Sequence, residues 1–198
     1  MNSKSNVFEQ NTQLIHQLTA GMLLGDNRTE LFGCRTSKKV YAITDGKTIP
    51  FENILPKQRA QILQRLVNDD KAMEDLKGLS HKEALESFAF CVFGATDSNA
   101  DFNESGILKE ADNFICGNDC KCLKWKSKNI TINGNKLTPR QIEIIQLLAT
   151  DSADKQIADQ LGISHSTLDT HKSHIFELAG VTSKNGLIVK AINEKIIQ

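Results

Sequence analysis

Between Leu137 and Ala191 the chain marks the starts and stops of four short helices in succession, which leaves few folds open to it. Thr138-Pro139-Arg140-Gln141 places a hydroxyl at an N-cap, proline at the first helical position and glutamine three residues on. That is a capping box, with proline where its missing N–H costs nothing. Ile142, Ile145, Leu148 and Ala149 then recur at helical spacing. Asp151 and Ser152 offer the next start, and the spacing predicts a second helix from Lys155 to Leu161 with Ile157, Ala158 and Leu161 inward. Gly162 suits the left-handed residue that ends a helix, Ile163 plugs the turn and Ser164 caps a third helix. Leu168, His171, Ile175 and Leu178 share one face of it, and Gly180 ends it. A fourth helix starts at Thr182 or Ser183, with Leu187, Ala191 and Ile192 inward. A small residue at Ala158, a flexible one at Gly162 and an apolar anchor at Leu168 are what two steeply crossing helices need, so the centre reads as a helix-turn-helix.

Residues 137–192 resemble the LuxR/FixJ-type helix-turn-helix domain of bacterial transcription factors. The resemblance rests on Leu137-Thr138-Pro139-Arg140, Lys155-Gln156-Ile157-Ala158, Leu161-Gly162-Ile163-Ser164, Ser166-Thr167-Leu168, Thr170-His171 and Leu178-Ala179-Gly180-Val181, and it covers somewhat more than a quarter of the chain. A sigma-factor DNA-binding region is the nearest lookalike. The resemblance implies double-stranded DNA as partner, with the third helix in the major groove. It places base reading on Asp169, Thr170 and Ser173, and phosphate contacts on Lys155, Ser164, Thr167, Lys172 and Lys184. It also implies a homodimer, with Ile188 and Ile197 on the face of the fourth helix that would meet a partner. One position departs from the family: Asp169 stands where Lys or Arg is usual. A carboxylate cannot read guanine's acceptor edge but accepts from the cytosine amino group.

Charge tempers that expectation. From Lys136 to Gln198 seven Lys/Arg meet seven Asp/Glu, so the segment is formally neutral, although DNA affinity leans on phosphate neutralisation. Modest affinity per monomer and a need for dimerisation follow. The basic cluster Lys121, Lys124, Lys126 and Lys128, just upstream, is a candidate to lend charge to the DNA face; otherwise it is a solvated linker.

Ahead of this lies a region with no family resemblance. An amphipathic helix is predicted over 7–24 through Leu14, Ile15, Leu18 and Met22, then a turn at Gly25-Asp26-Asn27. Val40-Tyr41-Ala42-Ile43 reads as a short strand before a hairpin-type turn at Asp45-Gly46, and Pro50 opens a linker. Lys57–Val67 reads as a helix, and Ser80-His81-Lys82-Glu83 as a capping box opening another. The expected class is mainly α: a helical N-terminal domain with a short β element over 1–115, a Cys/Lys-rich connector over 116–135 and a four-helix DNA-binding domain over 136–198. A phosphoreceiver is disfavoured because its series of acidic-ended strands is missing. An acyl-homoserine-lactone sensor is disfavoured because the chain has one Trp and one Tyr. No glycine-rich phosphate loop or nucleophile motif appears, and the expectation is a non-enzyme.

The longest apolar run, Phe88 to Ala95, is far too short to span a bilayer, and the first residues lack a continuous apolar stretch for secretion. A cytoplasmic protein is expected, without a membrane partner. Five cysteines then favour reduced thiols or a metal over a disulfide scaffold. Cys116, Cys120 and Cys122 crowd together and Cys91 lies upstream; four thiolates suit zinc first and an iron–sulfur cluster second. Gly94 and Gly117 would give such knuckles room, and Leu123, Trp125, Ile130 and Ile132 a small hairpin beside the metal. The C-x3-C-x-C spacing lacks paired C-x2-C knuckles, so a redox switch among Cys116, Cys120 and Cys122, or unrelated buried thiols, remain the alternatives. The reading taken forward is a DNA-binding regulator with a sensory or interaction domain. Its alternatives are a protein-interaction module or an RNA-polymerase-associated, sigma-like factor.

Overall fold

In the computed structural model, residues 18–117 and 120–197 are described. The chain divides into two units, 1–111 and 112–198.

The first unit is built on an antiparallel meander of β1 (Thr29–Gly33), β2 (Val40–Thr44) and β3 (Lys47–Pro50). The β2–β3 turn is the expected Asp45-Gly46, with both residues at positive φ (48° and 70°), and Thr44 pairs with Lys47 across it. That is the twist a two-residue hairpin loop requires. Three helices follow: α1 (Pro56–Val67), α2 (Asp70–Leu76) and α3 (His81–Val92). The capping box of α3 forms as read, Glu83 N–H donating to Ser80 Oγ and Ser80 N–H to Glu83 Oε2. Leu31, Ala42, Ile62, Phe88 and Phe93 fill the core. Gly33 is required at the end of β1: a Cβ there would stand 2.5 Å from the Phe90 ring. The loop after α3 returns to the sheet, where buried Asp101 accepts the Leu31 N–H at 2.7 Å and Thr29 bridges to Phe102.

Several expectations need correction here. The N-terminal unit is mixed α and β rather than helical with a single strand. Pro50 closes β3 instead of opening a linker. The predicted 7–24 helix lies outside the described residues up to position 17; from 18 to 24 the chain is bends and turns. Gly21 (φ 75°) explains why: a Cβ there would lie 2.3 Å from the Ile43 carbonyl oxygen, so the backbone itself passes against β2.

The second unit opens irregularly, makes a 3-10 turn over Lys121–Lys124, and forms a short hairpin of β4 (Thr131–Ile132) and β5 (Asn135–Lys136) around Asn133-Gly134, both at positive φ. The hairpin expected from Leu123 to Ile132 is therefore shifted towards the C-terminus, and Leu123 and Trp125 belong to the 3-10 turn and its end. Four helices follow: α4 (Pro139–Leu148), α5 (Asp154–Leu161), α6 (His165–Ala179) and α7 (Lys184–Asn193). They share one core of Ile142, Ile145, Leu148, Ile157, Leu168, Ile175 and Leu187, which also takes in Ile115, Ile130 and Ile132 from the stretch read as a connector.

Candidate nucleic-acid interface

The geometry of the interface is set by how α5 hands over to α6. Gly162 adopts φ 63°, ψ 34°; its N–H donates to Asp159 O at 3.1 Å and the Ile163 N–H to Ala158 O at 3.0 Å. This is a Schellman stop, and it turns the chain sharply while satisfying the last carbonyls of α5. Ser164 then caps α6, its hydroxyl oxygen accepting the Thr167 N–H at 3.1 Å. At the other end Gly180 (φ 66°) repeats the stop, with the Val181 N–H on Phe176 O. The capping box of α4 forms, with Gln141 N–H on Thr138 Oγ1 and Thr138 N–H on Gln141 Oε1. Arg140 donates to Leu161 O at 2.6 Å, tying the start of α4 to the end of α5.

Helix α6 is two-faced. Leu168, Ile175 and Ala179 are buried, whereas Ser166, Asp169, Thr170, Ser173 and His174 are exposed. Of the residues expected inward, Leu178 is half-buried and packs against the core, whereas His171 is only half-buried; Ala179 completes the core face. The three expected base-reading residues thus share one solvent face. Thr170 donates its hydroxyl proton to Ser166 O at 3.0 Å, which leaves its oxygen to accept and its methyl to touch.

The residues expected at phosphates differ in availability. Lys155 and Thr167 are exposed and Lys184 half-buried. Ser164 Oγ is engaged with its own cap and lies within 2.9 Å of the Ser166 and Thr167 hydroxyls. Lys172 is half-buried and held: its Nζ lies 2.5 Å from Asp154 Oδ2 and 3.3 Å from Asp169 Oδ1, while Asp169 also meets His165 Nδ1 at 3.0 Å. The hydrogen bond to Lys172 holds the Asp154 carboxyl below the usual carboxylate range, and Asp154 in turn raises Lys172. Sequence reading missed Asp154 because the pair spans two helices; the His165–Asp169 spacing of four was legible. Of the basic cluster, Lys121, Lys124 and Lys126 are exposed, but Lys128 is buried, its Nζ 5.3 Å from the centre of the Phe114 ring. It adds no charge to an outer face.

The four-helix unit with an αL turn between α5 and α6 defines a helix-turn-helix class of DNA-binding domain. The comparisons agree: residues 135–191 match the model of bacterial regulatory proteins, luxR family. Those residues form a LuxR-family helix-turn-helix domain. Among similar proteins are the transcriptional regulatory protein MctR of Rhizobium johnstonii, 36% identical over 61 residues that make up 31% of this chain and 28% of that protein. The oxygen regulatory protein NreC of Staphylococcus aureus is 36% identical over 62 residues, 31% of this chain and 29% of its own length. The chain thus spans less than a third of these curated relatives. No solved structure matches it.

Apart from this interface, the second unit gathers Cys116, Cys120 and Cys122. Cys116 and Cys122 are buried with their sulfurs 3.3 Å apart, and the three Sγ atoms lie within 4.8 Å of one another. No disulfide joins any of the described cysteines. Cys91 lies in the first unit, on α3, and is half-buried. Gly117 has neither a positive φ nor crowding, since a Cβ there would meet nothing within 4 Å; the room expected of it is not needed. Among the described residues no helix is long and apolar enough to cross a membrane.

Proposed function

We propose that the protein is a non-enzymatic, DNA-binding transcriptional regulator that acts as a homodimer, its first unit serving as a sensory or interaction module. The observation that carries this is the common exposure of Asp169, Thr170 and Ser173 on one face of α6, opposite the buried Leu168, Ile175 and Ala179. The sites on that face are acceptor-rich. The Asp169 carboxylate and the Thr170 oxygen suit the amino groups of cytosine and adenine rather than the guanine acceptor edge. Lys155, Lys184 and the N-terminal amides of α6 would meet phosphate. One short reading helix covers few base pairs, so two copies on a two-fold site are needed for useful specificity.

The surface that supports pairing differs from the one expected. Ile197 packs against the core and Ile188 is half-buried, whereas Val189 (59% exposed) and Ile192 (53%) stand out from α7. For the first unit, the support is a cleft of about 700 Å³ lined by Tyr41, Phe51, Leu63 and Leu85, with Lys39, Glu52, Arg59 and Lys82 among its charged groups. This mixed lining suits a small polar ligand or a peptide.

The decisive experiment changes Thr170→Ala together with Ser173→Ala and compares a selected binding site with random duplex. Specific affinity should fall at least tenfold, about 1–3 kcal/mol per base contact, while random-duplex binding stays within a factor of two. Equal loss on both would remove these residues from the reading face. The engagement of Lys172 by two carboxylates favours one second reading: a protein-interaction module, or a factor acting with RNA polymerase, that binds DNA weakly. Failure to bind any duplex at low salt would select the interaction module, and co-purification with RNA polymerase core the polymerase-associated factor.

A further inference from the structure

We propose that Cys116, Cys120 and Cys122 form a thiolate site for a single zinc ion, structural in role and separate from the DNA interface. Three sulfurs within 4.8 Å of one another make a donor set compact enough for one thiolate-bound ion. The sequence brings them close through a C-x3-C-x-C stretch, but in an extended chain the three would share one side at spacings of about 7 Å or more, too far apart for one ion. Here the chain bends instead. Cys120 begins the 3-10 turn over Lys121–Lys124, and that turn swings Cys122 back beside Cys116, their sulfurs 3.3 Å apart.

That separation discriminates between the chemistries open to thiols. A disulfide requires about 2.05 Å between sulfurs, so the pair is not bonded. Tetrahedral zinc with Zn–S bonds of about 2.3 Å needs sulfurs roughly 3.8 Å apart; Cys116 and Cys122 stand at 3.3 Å, and no pair of the three exceeds 4.8 Å, so small shifts bring them onto one ion. The three thiolates fill three corners of the tetrahedron and leave the fourth to a further donor. Each thiol surrenders its proton to solvent on coordination, so three protons leave as three Zn–S bonds form and no oxidant is consumed. With one zinc the three thiolates carry a net charge of −1, and Lys121 and Lys124, exposed on the adjoining turn, offset it.

The location gives the ion something to do. Among the described residues from 112 to 130 there is no α-helix or strand, yet this stretch buries Phe114, Ile115, Trp125 and Ile130. An irregular segment with few ladder hydrogen bonds is where a metal contributes most to folding. Cys120, half-buried, is the ligand whose loss least disturbs packing.

The test uses the full chain, purified without chelator under reducing conditions, and reads metal content by elemental analysis and native mass spectrometry. The chain and its Cys34→Ser variant should hold about one zinc each, and Cys120→Ser below about a tenth, with far-ultraviolet circular dichroism unchanged. Replacement of zinc by cobalt(II) should give tetrahedral d–d bands and a sulfur-to-cobalt charge-transfer band that weakens in Cys120→Ser. The proposal is overturned if the reduced chain takes up neither added zinc nor cobalt, if the cobalt spectrum lacks the sulfur band, or if Cys120→Ser keeps the full complement. Recovery of a metal-free Cys116–Cys122 disulfide that resists reloading after reduction would also overturn it. Because none of these readouts involves DNA, the result stands apart from the regulatory reading.

Discussion

Lys172 shows how a side chain at an expected phosphate position can be held by its own neighbours. Its charge is matched by Asp154 and Asp169, so contact with a phosphate means giving up a partner at 2.5 Å. Asp154→Asn should therefore have opposite effects on two measurements. Denaturant unfolding should show a loss of about 0.5–1 kcal/mol, as for other partly exposed pairs. Affinity for random duplex should rise, with about one more unit of salt slope as Lys172 turns to a phosphate. The pH dependence follows from the direction of the shifts. Asp154 is held below the usual carboxylate range, so its contribution is present above the unfolded carboxylate's pKa and is lost as pH falls through the folded value. Lys172 is raised, so its contribution holds below the ordinary lysine range and fades only as pH rises through the higher folded value. The Asn variant should flatten the acid limb of a stability–pH curve and leave pH 6–8 displaced but parallel. At Gly33 the effect is steric. Gly33→Ala should cost about 1–3 kcal/mol through the Phe90 ring, and Phe90→Leu in the same chain should restore part of it in thermal unfolding.

At the level of elements, the helices of the second unit could be read because their signals are local. Thr138 with Gln141, Ser164 with Thr167 and Ser183 with Gly186 each close within three residues, and the glycine stops at 162 and 180 act on their own helix ends. The one cap misread is that of α5, which has no side-chain oxygen at Ala153 and relies on Gln156 reaching back to the Ala153 N–H. Gly162 separates strain from crowding: Gly162→Ala meets no atom within 4 Å, so its cost should be the left-handed penalty alone, about 1–2 kcal/mol in chemical unfolding, with an unaltered slope against denaturant. The sheet of the first unit was harder to read because its pattern is written elsewhere. β1 begins with buried Thr29 and Glu30, which look like surface residues until Gln58 and Asp97 arrive to bond them. The Asp69 cap of α2 was visible and not used. For the candidate site, the exposed face of α6 with Asp169, Thr170 and Ser173 was legible from helical spacing, whereas the Lys172–Asp154 bond depends on a crossing that spacing alone does not report.

At the level of the whole molecule, the family match begins at Asn135 but the folded unit begins at Asp112. The intervening stretch is laced to the far end of the chain. Asn113 Nδ2 donates to both Thr131 O and Glu194 O, Asn133 N–H donates to Glu194 Oε2, and Asn135 Nδ2 to Leu178 O. A fragment of 112–198 should therefore unfold in one cooperative transition, and one of 137–198 should melt lower by at least about 10 °C in calorimetry, having exposed the core that Ile115, Ile130 and Ile132 cover. Equal melting temperatures would mean that the lacing carries no stability. Asn113 thereby sets the unit of inheritance. What could be moved intact from one host protein to another is not the four helices that define the family but those helices together with the leader that ties them off, so a gene fusion joined at the family boundary would inherit α6 without its clasp.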